Sequence, residues 1–172
     1  MTTLKELTRD LHKKSETTAL AASLLKNTIS NHLYCDWVYT QYLIFGTIED
    51  RIKFDTPGTT RRQLVLDDWQ DMKYSLPRDM KSIEQYVTYL RSCDRNKLMA
   101  HVYVNYMGLL CGGQTIKKLI GHRFPTRTYT FVNVEESIFE IQSKTDISLS
   151  DEANLAYQMV IDYYIQLYEF QK

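Results

Sequence analysis

His12 is one of the residues whose type and spacing could support chemistry. Glu16 follows it by four residues, so on a helix the carboxylate can reach a nitrogen of the imidazole ring. A histidine whose second nitrogen is held by a carboxylate is the usual form of a metal-ligating imidazole. The same spacing is also common on exposed helix faces, and His101 is a rival ligand on equal terms. The spacing alone therefore supports both a metal ligand and an inert surface pair.

The second candidate is a glycine-rich stretch, Met107-Gly-Leu-Leu-Cys-Gly-Gly-Gln114, inside the longest predicted helix. Each glycine in a helix interior costs about 0.5–1 kcal/mol relative to alanine, so these glycines must allow a kink or the close approach of another group. Gly108 and Gly112 are four residues apart and share a face, and His101 is expected on the same side. The pattern fits either tight helix packing or a large flat ligand lying on the glycine face.

The elements that must position these residues are predicted to be helices. The chain has only six glycines and three prolines, and β folds need more turns than these supply. Thr3 and Glu6 have the spacing of a capping box for a helix that begins at Leu4. Apolar residues at helical spacing then predict helices over about 20–26, 31–53, 60–76, 82–90, 97–120, 131–144 and 150–170. Ser82 is the predicted cap of the helix over 82–90, and Leu76-Pro77 is a predicted break.

Length and charge exclude several classes of protein. The 172 residues fit one all-α domain over residues 1–172, with seven or eight helices. Equal numbers of basic and acidic residues, 21 of each, argue against nucleic acid or an anionic membrane as a partner. No run approaches the ~20 apolar residues of a membrane span. Three widely spaced cysteines and the lack of a signal sequence indicate a cytoplasmic protein with reduced thiols.

Basic residues concentrate in two places. The first cluster, called here the N-terminal stripe, recurs every four residues and consists of Lys5, Arg9 and Lys13. The second cluster follows the glycine-rich stretch and comprises Lys117, Lys118, Arg123 and Arg127. Such clusters are commonly solvated faces, but they could also bind carboxylates of a ligand or an acidic partner protein.

Taken together, these segments resemble the haem oxygenase family. Residues 4–16, LKELTRDLHKKSE, resemble its proximal helix, whose histidine ligates the haem iron. Residues 101–118, HVYVNYMGLLCGGQTIKK, resemble its distal helix, which overlies the haem. Tyr129 to Asn133 and Ile165 to Glu169 match further landmarks in the same order. The resemblance implies an all-α bundle with haem between a proximal helix and a kinked distal helix.

The resemblance also implies an activity and its partners. Haem would be both cofactor and substrate, cleaved with O₂ and external electrons to biliverdin, expected as the IX-alpha isomer, with CO and Fe²⁺. The electrons would come from reduced ferredoxin or a flavin reductase, and a bilin reductase is a further expected partner. The protein is expected to be a compact cytoplasmic monomer without a membrane anchor.

Site residues follow from the same resemblance, position by position. His12 is the expected iron ligand, and Glu16 is its hydrogen-bond partner. Gly108 and Gly112 are the expected catalytic glycines of the distal helix. The remaining residues expected to bind haem are Lys5, Tyr103, Leu109, Gly113, which would help to kink the helix, and Lys144, which would fix the rotation of the haem.

The sequence departs from the family on the distal side. Many members carry an aspartate where this chain has Leu109, and that aspartate orders a water needed for oxygen activation. Asn105, Phe45 and Tyr164 also replace other polar residues of the family, and Asn105 and Tyr164 could hold a shifted water if they face the pocket. Leu109 therefore keeps open a haem carrier or pseudo-peroxidase that does not cleave haem. A helical interaction module without haem is the third alternative.

Overall fold

A computed structural model describes residues 2–73 and 80–170 of the chain. Within these residues the protein is all-α, as the composition predicts. The predicted break at Leu76-Pro77 lies outside the described residues. The helices are α1 (Leu4–Leu7), α2 (Arg9–Glu16), α3 (Ala19–Leu25), α4 (Asn31–Glu49), α5 (Arg62–Met72), α6 (Lys81–Ser92), α7 (Arg95–Ile120), α8 (Val134–Ser143) and α9 (Ser150–Glu169), with short 3-10 turns at Arg127–Tyr129 and Ile147–Leu149.

The first predicted helix is two helices in the structure. Thr3 caps α1 as expected, because its hydroxyl accepts from the Glu6 amide while the Glu6 carboxylate accepts from the Thr3 amide at 2.8 Å. Thr8 then leaves helical geometry, with φ −106° and ψ 0°, and its hydroxyl donates to the Leu4 carbonyl at 3.0 Å. The regular spacing of leucines through this segment predicts one continuous helix and gives no sign of the break at Thr8. His12 consequently belongs to the second helix, α2.

The start of α6 differs from the sequence prediction for a tertiary reason. Met80, not Ser82, is the residue that caps this helix. The Ser82 amide donates to Oε1 of Gln166 at 2.9 Å, and its hydroxyl bonds the same oxygen. Ser82 is thus used to tie α6 to α9 instead of capping a helix end.

Helix α7 is the centre of the fold and runs without interruption over 26 residues. It begins at Arg95, slightly earlier than predicted, because the Asp94 carboxylate caps it by accepting from the Lys97 amide at 2.9 Å. Helix α7 packs against α9, α8 and α3, while α2 and α3 also pack on α9. Helices α4, α5 and α6 complete the bundle, since α4 packs on both α5 and α6. The kink predicted for this helix stays a prediction.

The buried core holds helices α4 and α7 in place, with Tyr34, Phe45, Ile48 and Tyr106 among its least exposed side chains. Fully burying a side chain of this kind contributes about 1.5–3 kcal/mol, so the core fixes the helices that form the site described below. Among the described helices, none is long and apolar enough to cross a membrane.

Candidate active site

A cavity of about 560 Å³ lies between α2 and α7, and α1, α3, α4, α8 and α9 complete its wall. This volume is in the range of binding sites for cofactors and other small molecules. Most of the exposed wall is apolar. The lining residues are Lys5, Thr8, His12, Ser15, Glu16, Ala21, Leu24, Leu25, Trp37, Gln41, Tyr103, Val104, Asn105, Met107, Gly108, Leu109, Cys111, Gly112, Thr115, Ile116, Ile138, Gln142, Tyr157, Val160, Tyr163 and Tyr164.

His12 lies on the wall that α2 contributes, and its side chain is 42% exposed. Oε1 of Glu16, one helical turn further on, lies 3.3 Å from Nε2 of His12. The Tyr157 ring of α9 packs beside the imidazole, with 5.5 Å between the ring centroids. The structure therefore brings the predicted ligand and its carboxylate partner together. A carboxylate at one ring nitrogen leaves the other nitrogen for a ligand.

The glycine face of α7 forms another part of the wall. A Cβ atom built on Gly108 or on Gly112 would have no atom of the described chain within 4 Å, so both glycines face open space in the cavity. Gly113, which the sequence placed in the same site, points elsewhere: a Cβ atom there would lie 3.0 Å from the Tyr129 ring. The expectation that Gly113 contacts a ligand is therefore corrected, because its missing side chain makes room for tertiary packing.

His101 is not a rival ligand in the cavity. Its side chain is fully buried, and each ring nitrogen has a partner: Tyr86 Oη lies 2.9 Å from Nδ1, and Glu152 Oε1 lies 3.0 Å from Nε2. The sequence predicted His101 on the same side as Gly108, but Gly108 lines the cavity while His101 lies behind the wall. Seven residues advance the helix by about 10.5 Å, and at that level Tyr86 of α6 and Glu152 of α9 cover the face on which His101 lies.

Lys5, Tyr103 and Leu109 line the cavity, as the sequence led us to expect of residues that contact its ligand. Lys5 is exposed at the mouth, where it can meet an anionic group of a ligand. Tyr103 is only 8% exposed. Burial raises the pKa of its hydroxyl, which therefore stays protonated. Leu109 is 7% exposed and presents only apolar surface to the interior.

Lys144 lies outside the cavity, which corrects the expectation that it fixes a bound ligand. Its Nζ is 2.7 Å from the Glu140 carboxylate and 2.9 Å from the Asp55 carboxylate. Glu140 also accepts from the backbone amides of Asp55 and Thr56. Lys144 is thus committed to a structural cluster that ties α8 to the loop after α4. Gln142, two residues earlier, is the side chain from this part of α8 that lines the cavity.

A polar region of the wall faces the interior beside Leu109. Asn105 donates from Nδ2 to Tyr86 Oη at 2.9 Å and to the His101 carbonyl at 2.8 Å. Both hydrogens of the amide are therefore in use, which leaves Oδ1 as an acceptor. The opposite amide orientation would set Oδ1 against the His101 carbonyl, so the contacts fix the assignment.

Two further residues extend this polar region. Gln41 Nε2 donates to the Tyr163 hydroxyl at 2.9 Å, and both residues line the cavity. Tyr164 also lines it, with its ring edge-on to Tyr163 at 4.9 Å between centroids. Asn105 and Tyr164 thus meet the condition set by the sequence, that they face the pocket.

Phe45 and Tyr106 lie behind the cavity wall. Their rings pack edge to face, with 4.8 Å between centroids, and the Tyr106 hydroxyl donates to Glu49 at 2.7 Å. Phe45 therefore contributes to the packing of the core and does not line the cavity.

Sequence reasoning missed Gln41, Tyr157 and Tyr163. Gln41 is buried in α4, and Trp37, one turn earlier, lines the same cavity. A polar residue on an otherwise apolar helix face is the signal that could have found Gln41. The two tyrosines lie in the apolar stripe of α9, where the sequence does not distinguish them from other core aromatics.

The second basic cluster is largely used inside the protein. Arg127 binds the Asp68 carboxylate at 3.1 Å and the Asp71 carboxylate at 2.6 Å. Arg123 donates to the Asn27 and Ile29 carbonyls. The N-terminal stripe differs, since its first lysine, Lys5, lies at the cavity mouth and the other two residues are exposed.

The fold and the cavity define an all-α protein whose candidate binding site has a histidine on one wall and a glycine face on another. The chain belongs to the heme oxygenase family, whose family model matches residues 1–161. Heme oxygenase 2 of Macaca fascicularis is 25% identical over 192 aligned residues, which cover 90% of this chain and 61% of that protein. The chain thus spans about three fifths of the length of this curated relative.

Solved structures of the family have the same fold. A heme oxygenase of the cyanobacterium Synechocystis, crystallised in complex with heme, superposes with a TM-score of 0.83 at 23% identity, covering 95% of this chain and 90% of that one. The heme oxygenase of Leptospira interrogans gives a TM-score of 0.81 at 19% identity, covering 95% of this chain and 97% of that chain. The predicted haem oxygenase-like bundle is confirmed.

Proposed function

We propose that the protein binds haem in the cavity between α2 and α7 and cleaves it with O₂ and external electrons to biliverdin IX-alpha, CO and Fe²⁺. When bound, haem supplies the iron that activates O₂ and the ring that is opened. One observation carries the proposal: His12 with its carboxylate partner and the open glycine face belong to the same 560 Å³ cavity. This arrangement fits a large flat ligand that needs an imidazole on one side and close backbone approach on the other.

His12 holds the iron in this proposal, and Glu16 orients the ring. A carboxylate at the second nitrogen selects the tautomer and strengthens the imidazole as a ligand. Glu16 is exposed, so solvent weakens its effect on the ring.

Gly108 and Gly112 allow the backbone of α7 to lie against the haem. A side chain at either position would occupy the cavity, since nothing in the described chain lies within 4 Å of where its Cβ atom would be. Close approach of the backbone would limit the space that remains between α7 and the bound group. Lys5 at the mouth is suited to bind a propionate, which would set the rotation of the ring and hence the alpha position.

Asn105 supplies the acceptor that Leu109 lacks. Its Nδ2 is held by Tyr86 and by the His101 carbonyl, so Oδ1 can accept a hydrogen bond from a water in the cavity. An amide does not release a proton, so any proton delivered here must come from that water. The Tyr164 hydroxyl is a further hydrogen-bond donor in the same wall, because burial raises its pKa and keeps it protonated.

The electron donor is proposed to be a small acidic protein such as reduced ferredoxin, with a flavin reductase as the other class. The N-terminal stripe presents exposed positive charge next to the cavity mouth. Such a surface speeds the encounter with an acidic partner, and added salt weakens the effect. Loss of the salt dependence in the variant Lys13→Glu would support docking at this stripe, while an unchanged dependence would place the donor elsewhere.

Transfer of the product to a bilin reductase and action as a cytoplasmic monomer complete the proposal. The three free cysteines are compatible with a reducing compartment.

A non-cleaving haem carrier or pseudo-peroxidase is the second candidate, and Leu109 in the cavity wall is the observation that favours it. Hemin is added to the purified chain, followed by ferredoxin, its reductase and catalase. Decay of the Soret band to a bilin spectrum, with CO trapped by a globin, supports the enzyme. A stable Soret band without bilin supports the carrier, and the absence of a Soret band excludes both.

The axial ligand is tested in parallel. His12→Ala is expected to abolish the normal haem spectrum, whereas Glu16→Gln is expected to shift it only slightly. If His12→Ala retains the wild-type spectrum, the ligand is another residue and the assignment of His12 is wrong.

A further inference from the structure

Three side chains that could bind a metal ion meet behind the cavity wall. They are Cys93, which follows the last residue of α6, His101 of α7 and Glu152 of α9. The Cys93 sulfur, a ring nitrogen of His101 and a carboxylate oxygen of Glu152 all lie within 4.8 Å of one another. Cys93 and His101 are buried, and the Glu152 side chain is 12% exposed. Buried polar groups are hydrogen-bonded, and buried charges are paired or coordinate a metal ion.

The imidazole of His101 has a polar partner at each ring nitrogen. In the metal-free protein Nε2–H donates to Oε1 of Glu152 at 3.0 Å, and Nδ1 accepts from the Tyr86 hydroxyl at 2.9 Å. A metal ion at Nε2 would take the place of that proton, and the ring proton would then lie on Nδ1 and be donated to Tyr86 Oη. A second nitrogen held by a neighbouring group is the arrangement found behind metal-bound histidines.

Size and charge select the ion. Zinc binds sulfur at about 2.3 Å and nitrogen or oxygen at about 2.0–2.2 Å, so ligands in a tetrahedron lie roughly 3.3–3.7 Å apart. The three atoms here need to move by about 1 Å or less to reach those separations. A thiolate and a carboxylate also balance the two charges of the ion. A hard ion such as Mg²⁺, which prefers oxygen ligands, does not suit this set.

We propose that Cys93, His101 and Glu152 form a binding site for one Zn²⁺ ion, with a water as the fourth ligand. Zinc would join α6, α7 and α9 behind the cavity. The ion reaches the site past Lys97, whose exposed Nζ lies 4.0 Å from the Glu152 carboxylate and can move away. Zinc binds the thiolate form of Cys93, so binding releases the thiol proton to solvent.

Cobalt is the spectroscopic probe, since Co²⁺ occupies zinc sites and reports a thiolate ligand by a charge-transfer band. The haem-free full chain is titrated with Co²⁺, and then Zn²⁺ is added. We expect a thiolate band and tetrahedral ligand-field bands that saturate at one equivalent and disappear when Zn²⁺ displaces Co²⁺. Cys93→Ser should lose the thiolate band. The matched control Cys111→Ser, at an exposed cysteine, should keep it.

A second variant keeps the proposal testable if Cys93→Ser does not fold. Glu152→Gln preserves the shape of the side chain and removes its charge, and it should weaken Co²⁺ binding by about tenfold or more. X-ray absorption of the zinc-loaded wild type should show one sulfur ligand. The site would be overturned if the thiolate band is lost in Cys111→Ser or survives in Cys93→Ser. It would also be overturned if Glu152→Gln binds Co²⁺ with unchanged affinity, or if the zinc shell contains no sulfur.

Discussion

Glu140 and Lys144 allow a quantitative prediction about stability. The Glu140 side chain is only 7% exposed, and burial by itself raises the pKa of its carboxyl. The Lys144 ammonium and the amides of Asp55 and Thr56 outweigh burial, so the pKa falls from 4.5 to about 2. The lowered pKa means that the ionised carboxylate stabilises the folded state. A difference of about 2.5 pH units at 1.36 kcal/mol per unit corresponds to about 3 kcal/mol.

The sign of the effect determines the pH range. A carboxyl whose pKa is lowered by folding contributes its full stability above the unfolded value of 4.5 and loses it as the pH falls through 2. Glu140→Gln should therefore reduce the free energy of unfolding by about 3 kcal/mol at pH 7. The difference from wild type should shrink to about 1.4 kcal/mol at pH 3 and to less than about 0.5 kcal/mol at pH 2.

Urea denaturation of the haem-free chain from pH 7 downward measures this difference. Glu135→Gln is the matched control, an exposed acid on the same helix that should change stability by less than about 0.5 kcal/mol. A difference for Glu140→Gln that is below about 1 kcal/mol at pH 7, or independent of pH, would refute the reasoning. Lys144→Met should lower stability but leave haem affinity unchanged, because Lys144 lies outside the cavity.

Three further predictions concern the cavity. Gly112→Leu should weaken haem binding at least about tenfold, since overpacking typically costs 1–3 kcal/mol, and wild-type affinity and turnover would contradict close approach. Asn105→Leu should lower the rate of bilin formation about a hundredfold with an intact Soret band, because the water that Asn105 positions as the proton donor would be lost. The double variant Asn105→Leu with Leu109→Asp should form bilin at least about ten times faster than Asn105→Leu alone. If the double variant is no faster, the loss in Asn105→Leu is not the loss of an acceptor for water.

The helices could be predicted because few residues in the chain oppose helix formation. Local pattern located most of them within a few residues, as the cap at Thr3 shows. The break at Thr8 and the start of α6 were missed for different reasons. Thr8 bonds its own helix, which no pattern of apolar residues reveals. Ser82 makes a tertiary bond to Gln166, a residue 84 positions away.

The candidate site could be predicted where a residue departs from what a helix normally contains. His12 and the pair Gly108 and Gly112 are such departures, and all three line one cavity. Gly113 and Lys144 were included by position in a motif, and the structure uses them for packing and for an ion-pair cluster instead. Contacts across helices decide such cases.

Asn105 and Leu109 show how the distal side differs from the family without losing polar character. The two residues are four apart on α7, so they occupy neighbouring positions on one face, about 5–6 Å between their Cβ atoms. The acceptor that we propose at Asn105 therefore lies one helical turn along the same wall from the position where the resemblance implies an aspartate. The Asn105 amide cannot turn freely, because Tyr86 and the His101 carbonyl hold its nitrogen. Its oxygen is consequently a fixed acceptor. A fixed acceptor orders water better than a mobile one, because the side chain loses no further conformational entropy when the water binds. Leu109 by itself is therefore weak evidence for a carrier that does not cleave haem.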